Sequence, residues 1–336
     1  MTDGGIDVHK AIAYATHDGV ELLGDLYAPK DAKAVPALVA VHGGGWVQGA
    51  REAFQYWGPY LAARGIALFA ISYRLATKEK TFPEAVWDVL AGVQFVRGKA
   101  GAFGIDPQRL GLIGASAGAN LAALAALGGK KFAGFYPQDA FASADASVKA
   151  LVGVYGVYDM LAMWTKNQVQ EAHSNRAEKF IGVPPMENRQ LYFDASPISY
   201  ATYANKHIGV LLVTGSDDDL VPRTQTDTFQ EALKQAGYFV RPCFVPGAPH
   251  YWMNDPIEEP GSFTGFRAAA AALSCREAVS AGVSRPTSSP ASACLPCAPA
   301  AGSPRRVSTI AKAGRLAGSR DRPRRRWCRS RSGRAR

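Results

Sequence analysis

Between Leu110 and Leu124 the chain passes from an apolar strand, through a serine flanked by glycines, into strong helix formers. Few folds accommodate that order. Leu110-Gly111-Leu112-Ile113 reads as a buried strand, and Ala119-Asn120-Leu121-Ala122-Ala123-Leu124 as the opening of a helix. Gly114-Ala115-Ser116-Ala117-Gly118 lies between them, and strand, tight turn and helix are the setting in which Gly-x-Ser-x-Gly forms a nucleophile elbow. Such a turn holds its serine in a strained backbone conformation with the hydroxyl above the sheet edge. Side chains at Gly114 or Gly118 are expected to collide with the neighbouring strand or helix. A helix beginning at Ala117 sets an amide and the positive end of its dipole beside the reacting oxygen. A glycine-rich helix entry with an incidental serine would show the same residues, so the reading needs partners elsewhere.

A second motif lies upstream. Ala37-Leu38-Val39-Ala40-Val41 reads as a central strand and runs into His42-Gly43-Gly44-Gly45-Trp46. Three consecutive glycines are costly in entropy. A flexible turn is one explanation; a loop whose bare backbone lets amides converge on a substrate oxygen is the other. HGGG after a strand and upstream of Gly-x-Ser-x-Gly is the pairing expected of an esterase oxyanion loop, with Gly43, Gly44, Gly45 and Ala117 as candidate donors. His42 is expected to anchor this loop through a hydrogen bond, not to act as the base.

Strands and helices alternate around the two motifs. His9–Thr16 and Val20–Tyr27, joined by His17-Asp18-Gly19, predict a hairpin. A helical stretch is expected over Ala53–Arg64, a buried strand over Ala67–Ile71, and a helix after Pro83 with Val86, Val89, Leu90, Val93 and Val96 on one face. Asp88 on that helix is assigned to a salt bridge or solvent contact. Gly104-Ile105-Asp106-Pro107 reads as a turn into the elbow strand. Later strands are expected at Val148–Val154, Ile208–Thr214 and Tyr238–Val245, a helix at Thr224–Ala236, and a last helix near Phe263. Residues 155–207 break into short helical pieces with no clear strand, as a cap or binding insertion would. Its aromatics Tyr158, Trp164, Tyr192 and Phe193 either line a substrate pocket or form the insertion's own small core.

A serine hydroxyl needs a histidine to take its proton and a carboxylate to orient that histidine. On a sheet of this type the partners follow in the order Ser, Asp, His. Of six histidines, His250 alone lies on a loop after the last strand. Asp217, Asp218 and Asp219 are adjacent after the preceding strand. Position relative to Gly215 and Pro222 favours Asp218, with Asp217 and Asp219 capping the turn or facing water, and Asp159 the outside candidate.

These residues, with Ser72-Tyr73-Arg74-Leu75, Val221-Pro222 and Gly247-Ala248-Pro249-His250, resemble the α/β-hydrolase superfamily. More narrowly, the chain is similar to carboxylesterases with an HGGG loop: the hormone-sensitive-lipase-like group and its acetyl-esterase and feruloyl-esterase-like relatives. The resemblance covers roughly residues 6 to 266. It implies an α/β fold with a mostly parallel central sheet flanked by helices and a helical cap. It also implies Ser116 as nucleophile, His250 as base, Asp218 as its orienting acid, and the amides of Ala117 and the Gly43–Gly45 loop as the oxyanion hole. The acid stands in Gly-Ser-Asp-Asp-Asp-Leu-Val-Pro, not in the Asp-Pro-Leu type of motif usual in the lipase-like group. That pattern is closer to the feruloyl-esterase and peptidase-like branch.

Charge divides the chain at about residue 275. The net +10 arises because positions 275–336 hold 15 basic and 2 acidic residues, while positions 1–274 hold 23 and 26. The two parts are read as a hydrolase domain, 1–274, and a tail rich in Arg, Pro, Ala and Ser that buries too little to fold. The tail resembles translation in a shifted frame. Removing 276–336 is expected to leave activity intact, and Cys294-Leu295-Pro296-Cys297 lacks the second ligand pair of a metal site. Cys243 is alone in the body, so no disulfide framework is expected there.

The expectations are therefore a small-molecule ester substrate with a small or aromatic acyl group, no metal, no organic cofactor, no membrane, and a cytoplasmic setting; a homodimer is compatible with them. Nucleic acid enters only as a third alternative through the basic tail, marked by salt-dependent binding of the full-length but not the truncated protein. Amide cleavage by an aryl formamidase or peptidase-like enzyme is the alternative on the same residues. A silent ligand-binding protein on a hydrolase fold is the alternative of another class, which a fluorophosphonate probe leaving Ser116 unlabelled would favour.

Overall fold

The computed structural model describes residues 5–256. The helix expected near Phe263, the paired cysteines and the basic tail lie outside the described residues.

Eight strands among these residues form one sheet: β1 (Ile6–His17), β2 (Val20–Pro29), β3 (Val35–Val41), β4 (Ala67–Ile71), β5 (Ile105–Ala115), β6 (Ala150–Val154), β7 (Gly209–Gly215) and β8 (Val240–Val245). Their order is β1-β2-β4-β3-β5-β6-β7-β8. β1–β2 and β2–β4 are antiparallel and every later pairing is parallel. The hairpin turns at Asp18 and Gly19, both left-handed, as an Asp-Gly turn requires.

Period-2 alternation places each strand's side chains on two faces, and both are covered. Val39, Val41, Phe69 and Ile71 belong to the core beneath α2 (Glu84–Gly98) and α3 (Ala117–Phe132). Leu38, Ala40, Leu68 and Ala70 belong to the opposite core, with Trp57 and Leu61 of α1 (Trp57–Ala62). Central strands buried on both sides explain why their sequences are apolar without polar alternation. Val86, Val89, Leu90, Val93 and Val96 of α2 are buried as their spacing predicts.

Two local expectations are corrected. The stretch 53–64 is not one helix: a 3₁₀ turn at Arg51–Phe54 is separated from α1, in which Pro59 occupies the first turn, where no intrahelical N–H is needed. Gly104–Pro107 is not simply a turn, because β5 already begins at Ile105. Its register against β3 jumps between Val35↔Ile105 and Ala37↔Leu110, so Asp106-Pro107 sits in a bulge, where a residue without an N–H costs no ladder bond.

Asp88 makes an ion pair, as expected, but within a larger network. Arg74 Nη2 reaches it at 2.7 Å and the imidazole of His17, fully buried, at 2.7 Å through Nδ1. His17 Nε2 meets Asp139 at 2.9 Å, and Tyr136 stacks on the ring at 3.6 Å. Burial opposes charge on His17, but the bonds to Asp88 and Asp139 outweigh it and raise its pKa. The end of the hairpin is thereby tied to α2 and to the loop after α3.

Residues 155–207 form the expected run of short helices: α4 (Met160–Glu171), α5 (Arg176–Ile181) and α6 (Arg189–Asp194), with 3₁₀ turns at Pro197–Tyr200 and Tyr203–Asn205. α7 (Arg223–Gln235) then packs beside β7 and β8. Among the described residues no helix is long and apolar enough to cross a membrane.

Candidate active site

Parallel strands leave their C-terminal ends along one rim, and four of them deliver the predicted residues there: β3 the glycine loop, β5 Ser116, β7 Asp218 and β8 His250. Ser116 has φ 55° and ψ −120°, the strained conformation expected of the elbow. Its amide donates to Val154 O at 2.9 Å and its carbonyl accepts from Ala119 and Asn120, so both sides of the turn are held.

His250 Nε2 lies 3.0 Å from Ser116 Oγ, and His250 Nδ1 lies 2.8 Å from Asp218 Oδ2. The other Asp218 oxygen accepts the amides of Leu220 and Val221 at 3.0 and 2.9 Å. Those bonds hold the carboxylate facing the ring. The side chains of His250 and Asp218 are 3% and 2% exposed, so the pairing is dry. The structure thus separates the three adjacent aspartates. Asp217 is exposed and accepts from Ser216 Oγ, and Asp219 is exposed. Asp159 is excluded by position, since its Oδ1 accepts the amide of Ala162 in the first turn of α4.

The glycine loop folds back beside the serine. A Cβ on Gly43 would meet Ala115 O at 2.9 Å and Ser116 Cβ at 3.2 Å. Gly44 (φ 119°) and Gly45 (φ 61°) are both left-handed, and a Cβ on Gly44 would fall 2.0 Å from Gln48 O. The loop is therefore glycine for both reasons at once, close approach and backbone sign. Among the described residues no acceptor takes the amides of Gly43, Gly44, Gly45 or Ala117.

His42 anchors the loop as expected. Its Nδ1 donates to Gly43 O at 2.7 Å, its ring stacks on Tyr73 at 4.3 Å, and the Tyr73 hydroxyl donates to His42 O at 3.0 Å. Burial holds the imidazole neutral by pushing its pKa down to about 4. Its Nε2 is buried and without a hydrogen-bond partner.

Several residues that shape the site carry no signal in a single sequence. Tyr155 and Tyr251 flank the imidazole, with ring centroids 4.5 and 4.4 Å from it. Asn120, fully buried, accepts from Trp46 Nε1 at 3.3 Å and donates to Ala195 O at 3.0 Å, joining glycine loop, elbow helix and cap. Trp46 also stacks on Phe180 of α5 at 4.9 Å. The cap aromatics divide. Tyr158 and Tyr192 are buried, Tyr158 against Phe229 and Tyr192 donating to Val183 O, while Phe193 is exposed. Core packing accounts for the first two. A cavity of about 320 Å³ runs along the glycine loop, lined by Gly43, Gly44, Gln48 and Gly49 with Tyr155 and Tyr251; Ser116 and His250 are not among its lining residues. Among the described residues no group of three or more His, Cys, Asp or Glu side chains is arranged to hold a metal ion.

The family model BD-FAE matches residues 24–233, which include the glycine loop, Ser116 and Asp218. A probable isoprenylcysteine alpha-carbonyl methylesterase, ICME, of Oryza sativa subsp. japonica is 32% identical over 241 residues, 69% of this chain and 56% of that protein. Esterase LipC of Mycobacterium tuberculosis (strain ATCC 25618 / H37Rv) is 32% identical over 255 residues, 72% of this chain and 60% of that protein. The chain thus spans under two thirds of the length of these relatives. Among solved structures, a truncated carbohydrate esterase from gut microbiota superposes with a TM-score of 0.67 at 22% identity, covering 83% of this chain and 98% of that one. The propionate-bound esterase Est2 of Thermogutta terrifontis superposes at 0.64 and 23%, covering 84% and 97%.

Proposed function

Since this chain belongs to the BD-FAE family and has the α/β-hydrolase fold, we propose that it is a serine carboxylesterase acting through an acyl-enzyme on Ser116. The observation that carries the reading is the position of one imidazole, 3.0 Å from the serine hydroxyl and 2.8 Å from an otherwise satisfied carboxylate.

His250 Nε2 takes the proton of Ser116 Oγ as that oxygen bonds to the ester carbonyl carbon. Asp218 keeps the proton on Nδ1 and stabilises the imidazolium that forms. The carbonyl oxygen becomes an oxyanion, met by the amide of Ala117 and by amides of the Gly43–Gly45 loop. Collapse breaks the bond to the alkoxy oxygen, which leaves as the alcohol with the proton from His250. Water then attacks the acyl carbon and gives its proton to His250. The second collapse breaks the bond to Ser116 Oγ, releases the acid and returns the proton to the serine. No step calls for a metal or organic cofactor.

Tyr155 and Tyr251, with ring centroids 4.5 and 4.4 Å from the His250 imidazole, support small or aromatic acyl groups as substrates. The test is turnover of 4-nitrophenyl acetate, with Ser116→Ala expected to lower kcat by about 10⁶-fold. Labelling by a fluorophosphonate that depends on Ser116 gives the same answer without turnover. An unlabelled Ser116 would sink the reading. Matched ester and anilide substrates decide which bond is cut.

A further inference from the structure

Gly45 has a neighbour that the hydrolytic steps do not use. A Cβ on Gly45 would fall 2.7 Å from Arg176 Cδ, 3.3 Å from Nη1 and 3.6 Å from Nε, so the arginine lies across the bare face of the glycine loop. Arg176 is half-buried, and among the described residues no carboxylate, carbonyl or hydroxyl accepts from its guanidinium. Other enclosed cations in the molecule are treated differently. Arg74 is held by Asp88, Arg51 by Asp25 at 2.8 Å, and Lys166 by the carbonyls of Asp219 and Leu220 at 2.8 and 2.7 Å. Arg176 has no such partner, so its guanidinium, still in contact with water, keeps its N–H donors open to an anion.

The segment that carries the arginine is anchored at both ends. It opens α5 directly after Asn175, which is buried, accepts the amide of Glu178 at 3.2 Å and donates to Trp164 O at 3.1 Å. At the other end of α5, Phe180 stacks on Trp46, the residue after Gly45. The backbone that carries Arg176 and the glycine loop are therefore fixed relative to each other. Gly43 touches Ser116 and Gly45 touches Arg176. Two residues of chain span no more than about 7 Å, so a group at the guanidinium and a carbonyl at the serine can belong to one small molecule.

We infer that Arg176 is a specificity-determining residue that binds a carboxylate carried by the ester substrate. The inference rests on the esterase reading above. One guanidinium balances one negative charge and offers parallel N–H donors matched to two carboxylate oxygens. A site built around such a donor discriminates against the uncharged analogue, because that analogue leaves the cation unpaired again.

Two matched pairs test it, one with the charge on the alcohol side and one on the acyl side. They are 4-carboxyphenyl acetate against 4-carbamoylphenyl acetate, and mono-4-nitrophenyl glutarate against 4-nitrophenyl pentanoate. The parent protein is expected to favour the charged ester in at least one pair. Arg176→Gln is expected to lower the charged-to-neutral ratio of kcat/KM in that pair by about 10- to 100-fold, with Arg176→Lys intermediate. Calorimetry with glutarate alone is expected to give a Kd about tenfold weaker in Arg176→Gln. Ratios and glutarate affinity that stay within about twofold of the parent would overturn the assignment. Turnover of the neutral esters by the parent reports separately on the esterase reading, so the two can fail independently.

Discussion

Gly118 approaches Val41 so closely that a Cβ on it would fall 2.1 Å from the Val41 carbonyl oxygen. A Cβ on Gly114 would in turn fall 2.2 Å from Gly118 O. Both obstacles are backbone atoms, which cannot rotate aside. Gly114→Ala and Gly118→Ala are each expected to cost at least about 2 kcal/mol in urea denaturation, or to yield insoluble protein. Gly19→Ala is the contrast. That glycine has φ +78° with nothing within 4 Å, so the cost is limited to about 1–2 kcal/mol of backbone strain. Elbow variants as stable as Gly19→Ala would contradict the close approach.

The three adjacent aspartates are distinguishable by kinetics. Asp218 alone is bonded to His250, with its second oxygen on two amides. Asp218→Ala is expected to lower kcat on a neutral ester by about 10⁴-fold. Asp217→Ala and Asp219→Ala should remain near the parent rate, since both residues are exposed. A large loss in either of the latter would mean that the carboxylate has been misassigned.

Acid stability should carry the signature of His42. Its ordinary pKa of 6.5 falls to about 4 in the folded protein, chiefly through burial. The unfolded chain therefore binds more protons between those values. The contribution is complete above about pH 6.5 and is lost as pH falls toward 4, on the order of 3 kcal/mol. Asn at this position keeps a donor for Gly43 O and does not titrate. Thermal midpoints of His42→Asn should therefore fall less steeply than those of the parent between pH 6.5 and 4. Parallel slopes would contradict a neutral His42.

His17 acts in the opposite sense. Enclosed between Asp88 and Asp139, with Arg74 on the far side of Asp88, it has a folded pKa raised above 6.5. The folded state then holds the extra proton. The stabilisation is fully present below pH 6.5 and is lost as pH rises through the raised value. Chemical denaturation of the parent should weaken across that alkaline interval, and His17→Gln should flatten the change. A parent profile that strengthens over the same interval would exclude a charged His17.

Much of this architecture was legible because its determinants are local. Gly114, Ser116 and Gly118 announce an elbow, and three glycines after β3 announce a loop that must pass close to something. Apolar runs such as Ala67–Ile71 reappear residue for residue as central strands, since burial on both faces leaves no polar alternation to blur their ends. The helix expected over 53–64 broke because a 3₁₀ turn at Arg51–Phe54 buries Phe54 in the same core that Trp57 enters from α1, a tertiary demand that helix propensity does not register. Arg176, Asn120 and Tyr155 were invisible for another reason. Their importance lies in what they face across 75 or more residues of chain, as with Asn120 and Ala195, and a single sequence records no such distances.

Four residues other than glycine at the strand ends around the serine hold left-handed backbones: Trp46 (φ 63°), Ser116 (φ 55°), Tyr155 (φ 37°) and Tyr251 (φ 68°). Each such conformation costs about 1–3 kcal/mol and persists only while its surroundings insist on it. The rim is thus a spring kept loaded by the sheet beneath. In mild denaturant it should relax before the strands separate, so that turnover fades while the far-ultraviolet circular dichroism of the sheet is still intact.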